Sequence, residues 1–161
     1  SILDIGRTEG AQFEQAKNID LVEFIKYKTN DYNMLASKKS ITIKFSSNVS
    51  SFQIIIQETL FNQILQNFVQ NAIKFTPNGK TIKIKLKKID DKVILNVIDE
   101  GIGIDEKIDV FAPFKKVGKE NGVGLGLYLA KIASDALNAK ISIKNREDGK
   151  TGAIAKLELT L

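Results

Sequence analysis

Histidine, cysteine and tryptophan are absent from the 161 residues. Without cysteine there can be no disulfide and no thiolate metal site, which fits a reducing compartment. Without histidine, no imidazole in this chain can serve as general base, metal ligand or phosphoryl acceptor. Chemistry must run on carboxylates, amides, hydroxyls, lysines and backbone dipoles. No stretch reads as a secretory signal, and no apolar run reaches the roughly 20 residues needed to span a membrane. The chain begins at Ser1 rather than methionine, so it is expected to be a soluble part of a longer protein.

What is present is ordinary in amount: 43% hydrophobic and 27% charged residues, enough for one domain with a sizeable core. The formal net charge of +5 raises the question of nucleic acid. The lysines do not form one tract, however. In Lys80-Thr81-Ile82-Lys83-Ile84-Lys85-Leu86 they alternate with apolar residues, as on the wet face of a strand. A polyanionic nucleotide uses basic charge equally well, and no nucleic-acid partner is expected.

There is no internal repeat. Residues 1–17 are polar and read as a helix end plus a linker, with the domain proper over 18–161. Asp20 is placed to cap a helix running to about Ala36. Ile41 to Phe45 and Phe52 to Ile56 alternate as strands. From about Thr59 the period becomes helical, through Leu60, Ile64, Leu65, Phe68, Ala72 and Phe75, until Pro77-Asn78-Gly79 breaks it. Strands are predicted over Thr81–Ile89 and Val93–Asp99, joined at Asp90-Asp91. A helix is predicted over Leu125–Leu137. Two last strands, Lys140–Lys144 and Ala153–Leu161, flank a turn at Asp148-Gly149. Paired strands beside single helices predict an α+β two-layer sandwich, not a doubly wound parallel sheet.

Three constellations could carry chemistry. Asn67 and Asn71 stand four apart on one helix face, with Lys74 one turn on. Asparagine is a mediocre helix former, so the pair is either solvated or an oxygen source for a hard cation such as Mg²⁺. Asp99-Glu100-Gly101-Ile102-Gly103-Ile104 follows an apolar strand. It is either an ordinary Asp-Gly turn or a carboxylate set to accept from an exocyclic amine, with glycines allowing close approach. Gly122-Val123-Gly124-Leu125-Gly126-Leu127 opens an apolar helix, either as a flexible loop or as an anion site at a helix start. A Rossmann fingerprint would need a strand just before these glycines. A P-loop would need Gly-Lys-Ser/Thr. Neither is present.

Taken in order, these three with the Phe111-to-Phe114 patch resemble the N, G1, F and G2 boxes of bacterial-type sensor histidine kinases, members of the GHKL ATPase superfamily. Asn71-Ala72-Ile73-Lys74-Phe75-Thr76-Pro77 and Gly124-Leu125-Gly126-Leu127 match almost word for word, and the resemblance runs from about Asp20 to Leu161. It implies the GHKL (Bergerat-type) fold: a mixed, mostly antiparallel sheet of about five strands, with three main helices on one face. It implies ATP and Mg²⁺ as cofactors. Asn71 would hold the metal with Asn67 nearby, Lys74 would meet phosphate, and Phe75 would line the base. Asp99 would read the adenine amino group, with Gly101, Gly103 and Ile104 close to the nucleotide. Gly122, Gly124, Leu125, Gly126 and Leu127 would form the phosphate end. A mobile lid would run from about Ala112 to Val123, anchored by Phe111 and Phe114, with Phe114 also near the nucleotide.

The resemblance also implies a cytoplasmic phosphotransferase, in a homodimeric parent protein that is itself soluble or membrane-anchored. Its partners would be a histidine-bearing dimerisation domain of the same protein and a response regulator receiver domain. Residues 1–17 would be the end of the dimerisation helix. Gln57 and Leu60 depart from the usual acidic residue and arginine, Val123 from a threonine, and the lid is short. ATP-hydrolysing relatives resemble one another in a glutamate four residues before the metal asparagine. Here that position is Asn67, which cannot act as a general base, so phosphotransfer is expected over hydrolysis. A module using ATP only as a conformational ligand, or a non-catalytic partner of a kinase, remains an alternative.

Overall fold

The computed structural model describes residues 5–6, 10, 14–113 and 125–161. The element order is β1 (Lys17–Asp20), α1 (Leu21–Ala36), a 3₁₀ turn (Ser37–Lys39), β2 (Thr42–Ser47), β3 (Gln53–Ile56), α2 (Glu58–Phe75), β4 (Thr81–Ile89), β5 (Lys92–Ile98), α3 (Gly126–Ala136), β6 (Lys140–Asn145) and β7 (Ala153–Thr160). Five strands form one sheet in the order β2-β4-β5-β7-β6. β2 runs parallel to β4 and every other pairing is antiparallel. This is the mixed α+β architecture expected.

Alternation decides which face of the sheet is covered. Ile82, Ile84 and Leu86 of β4, Val93, Leu95 and Val97 of β5, and Leu157 and Leu159 of β7 are buried on one face. They form one core with Leu21, Val22 and Ile25 of α1, Phe61, Ile64, Leu65 and Phe68 of α2, and Leu127, Ala130 and Ala133 of α3. The lysines between them, such as Lys83 and Lys87, stay exposed. Among the described residues, no helix is long and apolar enough to cross a membrane.

The structure differs from the expected pattern at β1. Lys-Asn-Ile-Asp carries no alternation to read, yet it pairs antiparallel with β3 in a separate two-stranded sheet. The Phe52–Ile56 stretch therefore lies outside the main sheet. β1 starts at Lys17, one residue inside the segment read as linker; most of residues 1–17 lie outside those described. Asp20 does cap α1, accepting from the N–H of Val22 at 3.0 Å and Glu23 at 3.3 Å. The same carboxylate accepts from Phe52 N–H and from the Ser51 hydroxyl, so the cap also holds the start of β3.

α2 is the long amphipathic helix the periodicity predicted. Its end is fixed from a distance. The Lys39 ammonium donates to the carbonyls of Ile73 at 2.8 Å and Lys74 at 3.3 Å. A cation on the last carbonyls offsets the negative end of the helix dipole.

Candidate functional site

Asp99 comes directly after β5 and continues its ladder, donating its N–H to the Ala153 carbonyl at 3.0 Å. Its side chain is buried. One carboxylate oxygen, Oδ1, accepts from the N–H groups of Gly101 and Ala153, each at 2.9 Å. The other, Oδ2, has no hydrogen-bond partner among the described residues. Burial pushes the Asp99 carboxyl above its ordinary value, against the pull of the two N–H groups and of Arg146. A buried carboxylate anchored through one oxygen and open at the other is arranged to accept from a donor outside the protein.

The next residues show why glycine recurs. A Cβ on Gly101 would sit 2.6 Å from the Phe75 carbonyl oxygen. Glycine is needed there because the end of α2 comes so close. Gly103 needs it for its conformation, with φ at +84°. The amide of Asn145 then clamps Ile104, accepting from its N–H at 2.7 Å and donating to its carbonyl at 2.9 Å. Arg146, next along the chain, donates from Nη1 to the Asp99 carbonyl at 2.9 Å. Sequence reasoning did not single out Asn145 or Arg146, and no local pattern could have: both act on backbone about forty residues away.

The other end of the site lies on α2. Asn67 is buried, and its Nδ2 donates to the Gln63 carbonyl at 2.8 Å. Its Oδ1 faces the start of α3, 3.2 Å from where a Cβ on Gly126 would stand. Asn71, one turn on, is half-buried, and its amide has no hydrogen-bond partner among the described residues. Lys74 follows, with its ammonium 5.7 Å from the centre of the half-buried Phe75 ring. α3 starts at Gly126 with no side-chain cap from Leu125, which leaves its first N–H groups without that means of satisfaction. Leu125 and Leu127 are buried, so only their backbone is available to a ligand. Phe111 packs against the core. Phe114, Gly122, Gly124 and most of the expected lid lie outside the described residues.

α2 thus joins the three constellations. Its end touches the Asp99 loop through Phe75 and Gly101, and its face touches α3 through Asn67 and Gly126. From Asn67 to Phe75 is about 12 Å of helix at 1.5 Å per residue, the scale of a nucleoside triphosphate. Among the described residues no group of three or more His, Cys, Asp or Glu could hold a metal. A cation here would need amide oxygen, phosphate and water, a donor set that suits Mg²⁺.

Comparison with known proteins bears on the family and the fold. The family profile described as "Histidine kinase-, DNA gyrase B-, and HSP90-like ATPase" matches residues 56–161, more than half of the chain. The sensor protein KdpD of Clostridium acetobutylicum is 31% identical over 99% of this chain, which spans only 18% of that protein. The solved catalytic domain of the histidine kinase ThkA superposes with a TM-score of 0.78 at 28% identity, over 91% of this chain and 95% of that one. Full-length ShkA, solved in complex with AMPPNP, gives 0.84 at 25% identity, over 98% of this chain and 34% of that one. The chain belongs to the histidine kinase-, DNA gyrase B- and HSP90-like ATPase family, and its fold is that of histidine kinase catalytic domains.

Proposed function

We propose that this chain is the catalytic domain of a sensor histidine kinase, holding ATP with Mg²⁺ and presenting the γ-phosphate to a histidine on a separate dimerisation domain. The observation that carries the reading is Asp99, buried, with Oδ1 taken by two backbone N–H groups and Oδ2 left to accept from the adenine amine. Asn71 offers its amide oxygen to the metal, and Lys74 meets the phosphates. The start of α3 receives phosphate oxygens on its N–H groups. ATP supplies the phosphoryl group, and the protein's part is positioning and charge neutralisation. Asn67, tied to the Gln63 carbonyl, cannot take a proton from water, which favours transfer over hydrolysis.

With no histidine in the chain, the acceptor lies elsewhere. The catalytic domain covers 18–161 together with Lys17, which opens β1. The parent works as a homodimer in the cytoplasm or at its membrane, passing the phosphoryl group to a response regulator. ThkA has been solved in complex with the response regulator protein TrrA, which supports that partner class. The test is to mix this chain with its own dimerisation domain and γ-labelled ATP. The expected product is an acid-labile, alkali-stable label on that domain's histidine, formed slowly because nothing tethers the two parts. Rapid ATP hydrolysis by the chain alone, unchanged by Asn67→Ala, would put it in the hydrolytic branch.

A further inference from the structure

The β6–β7 connection and the strand ends beside it belong to none of the three constellations, yet they grip the Asp99 loop at three points. Ala153 binds the carboxylate, Arg146 the Asp99 carbonyl, and Asn145 both polar groups of Ile104. Arg146 is the least expected of these. Its side chain is only 8% exposed, and a guanidinium withdrawn from water is costly unless its donors are used. They are used in two directions. Nε and Nη2 hold the Asp148 carboxylate at 3.2 and 2.7 Å, and Nη1 reaches inward to the Asp99 carbonyl. The planar fork makes this a rigid strut from the surface carboxylate to the backbone of the residue that bears the recognition group.

We propose that Arg146 and Asn145 are positioning residues for adenine recognition, fixing the peptide planes from Asp99 to Ile104 so that Asp99 Oδ2 stays aimed at the base. This rests on the reading of Asp99 as the adenine acceptor. A fixed peptide plane sets the direction in which the Asp99 side chain leaves the backbone, and discrimination between bases depends on that direction being held before the ligand arrives. The Arg146 charge also pulls the Asp99 carboxyl downward, against burial. Lys83 and Lys85 of β4, with Glu147 and Lys150, line one cavity with Arg146. Glu100 accepts from Thr81 N–H, Glu106 accepts from Asn145 N–H, Asp148 is held by Arg146, and Lys74 lies on the last turn of α2.

The experiment is calorimetric titration of this chain with ATP and with GTP across a range of pH, for wild type, Arg146→Met, Arg146→Lys, Asp148→Asn and Asp99→Asn. Arg146→Met is expected to weaken ATP about tenfold and GTP less than about twofold, and to move the acid limit of ATP binding to higher pH. Arg146→Lys should keep the charge and restore the acid limit, but recover the base preference only in part. A merely structural role for the segment would weaken both nucleotides alike and leave the acid limit in place; that result overturns the proposal. If Arg146→Met does not fold, Asp148→Asn, at an exposed position, removes only the outer end of the strut. An ATP-to-GTP preference reduced about threefold supports the proposal, and an unchanged preference overturns it. An Asp99→Asn variant that keeps the wild-type preference would overturn the underlying reading of Asp99; loss of preference there with none in the Arg146 and Asp148 variants overturns this inference alone.

Discussion

The two ends of the site are built in opposite ways. Around Asp99, sequence-distant backbone and side chains converge until one carboxylate oxygen is the only open acceptor of its group: the strand ladder, the Ala153 N–H, the Asn145 clamp and the Arg146 strut. Around Asn71, one helix face and a helix start without a side-chain cap from Leu125 supply polar groups, and the Asn71 amide has no hydrogen-bond partner among the described residues. A base is a flat object recognised by fixed donors and acceptors, and recognition gains when these are held in advance. A triphosphate with its metal is charged, hydrated and mobile, and is served by dipoles and amides that can follow it. On the proposed reading, discrimination belongs to the Asp99 end and charge handling to the Asn71 end.

The largest way to break the contrast is to remove what both ends share. Phe68 is fully buried on the core face of α2, and Phe68→Ala is expected to cost about 3–5 kcal/mol of folding stability, read as a lower denaturation midpoint. Both ends should fail together. Asp99→Ala should separate them. Loss of a charged acceptor, worth about 1.5–3 kcal/mol, predicts roughly ten- to hundredfold weaker ATP binding, while dependence on Mg²⁺ is kept. Asn71→Ala should do the reverse, with about tenfold weaker ATP binding in Mg²⁺, little change in EDTA, and an intact preference for adenine over guanine. A single variant that altered base preference and metal dependence equally would dissolve the distinction.

The same division marks what could be read from the chain. α2 was legible because its apolar residues recur at steps of three and four, and the β4–β5 hairpin because lysine alternates with isoleucine up to Asp90-Asp91. The three constellations could be read because each is contiguous, although Gly122 to Gly124 of the third lie outside the described residues. What holds them in place could not be read. Lys39 reaches the end of α2 across 34 residues, and Arg146 reaches Asp99 across 47. β1 is too short and too polar to alternate. Gly101 illustrates a limit of reading a motif by itself. Its glycine looked like room for a ligand, but the first atom a Cβ would meet is the Phe75 carbonyl oxygen of the protein itself.

The smallest expected effect concerns protons and sharpens the comparison at Asp99 alone. Burial raises the Asp99 carboxyl above its ordinary value of 3.8. Its native form therefore holds a proton over a pH range where the unfolded chain has lost it. The associated stability is fully present below 3.8 and is lost as pH rises through the raised native value. Nucleotide binding runs the other way. The adenine amine needs the ionised Oδ2, so ATP affinity should fall as pH drops through that raised value, by about twofold where Asp99 is half-protonated. Arg146 holds Asp148 well below the usual carboxylate range, to about 2, so the strut stays closed while Asp99 titrates. The acid loss of ATP binding should therefore belong to Asp99, and an Asp99→Asn chain should bind weakly but with no acid limit of its own. Titrations of the two proteins from neutral pH toward the ordinary carboxylate range would decide it. An identical acid limit in both would mean that a group other than Asp99 accepts from the base.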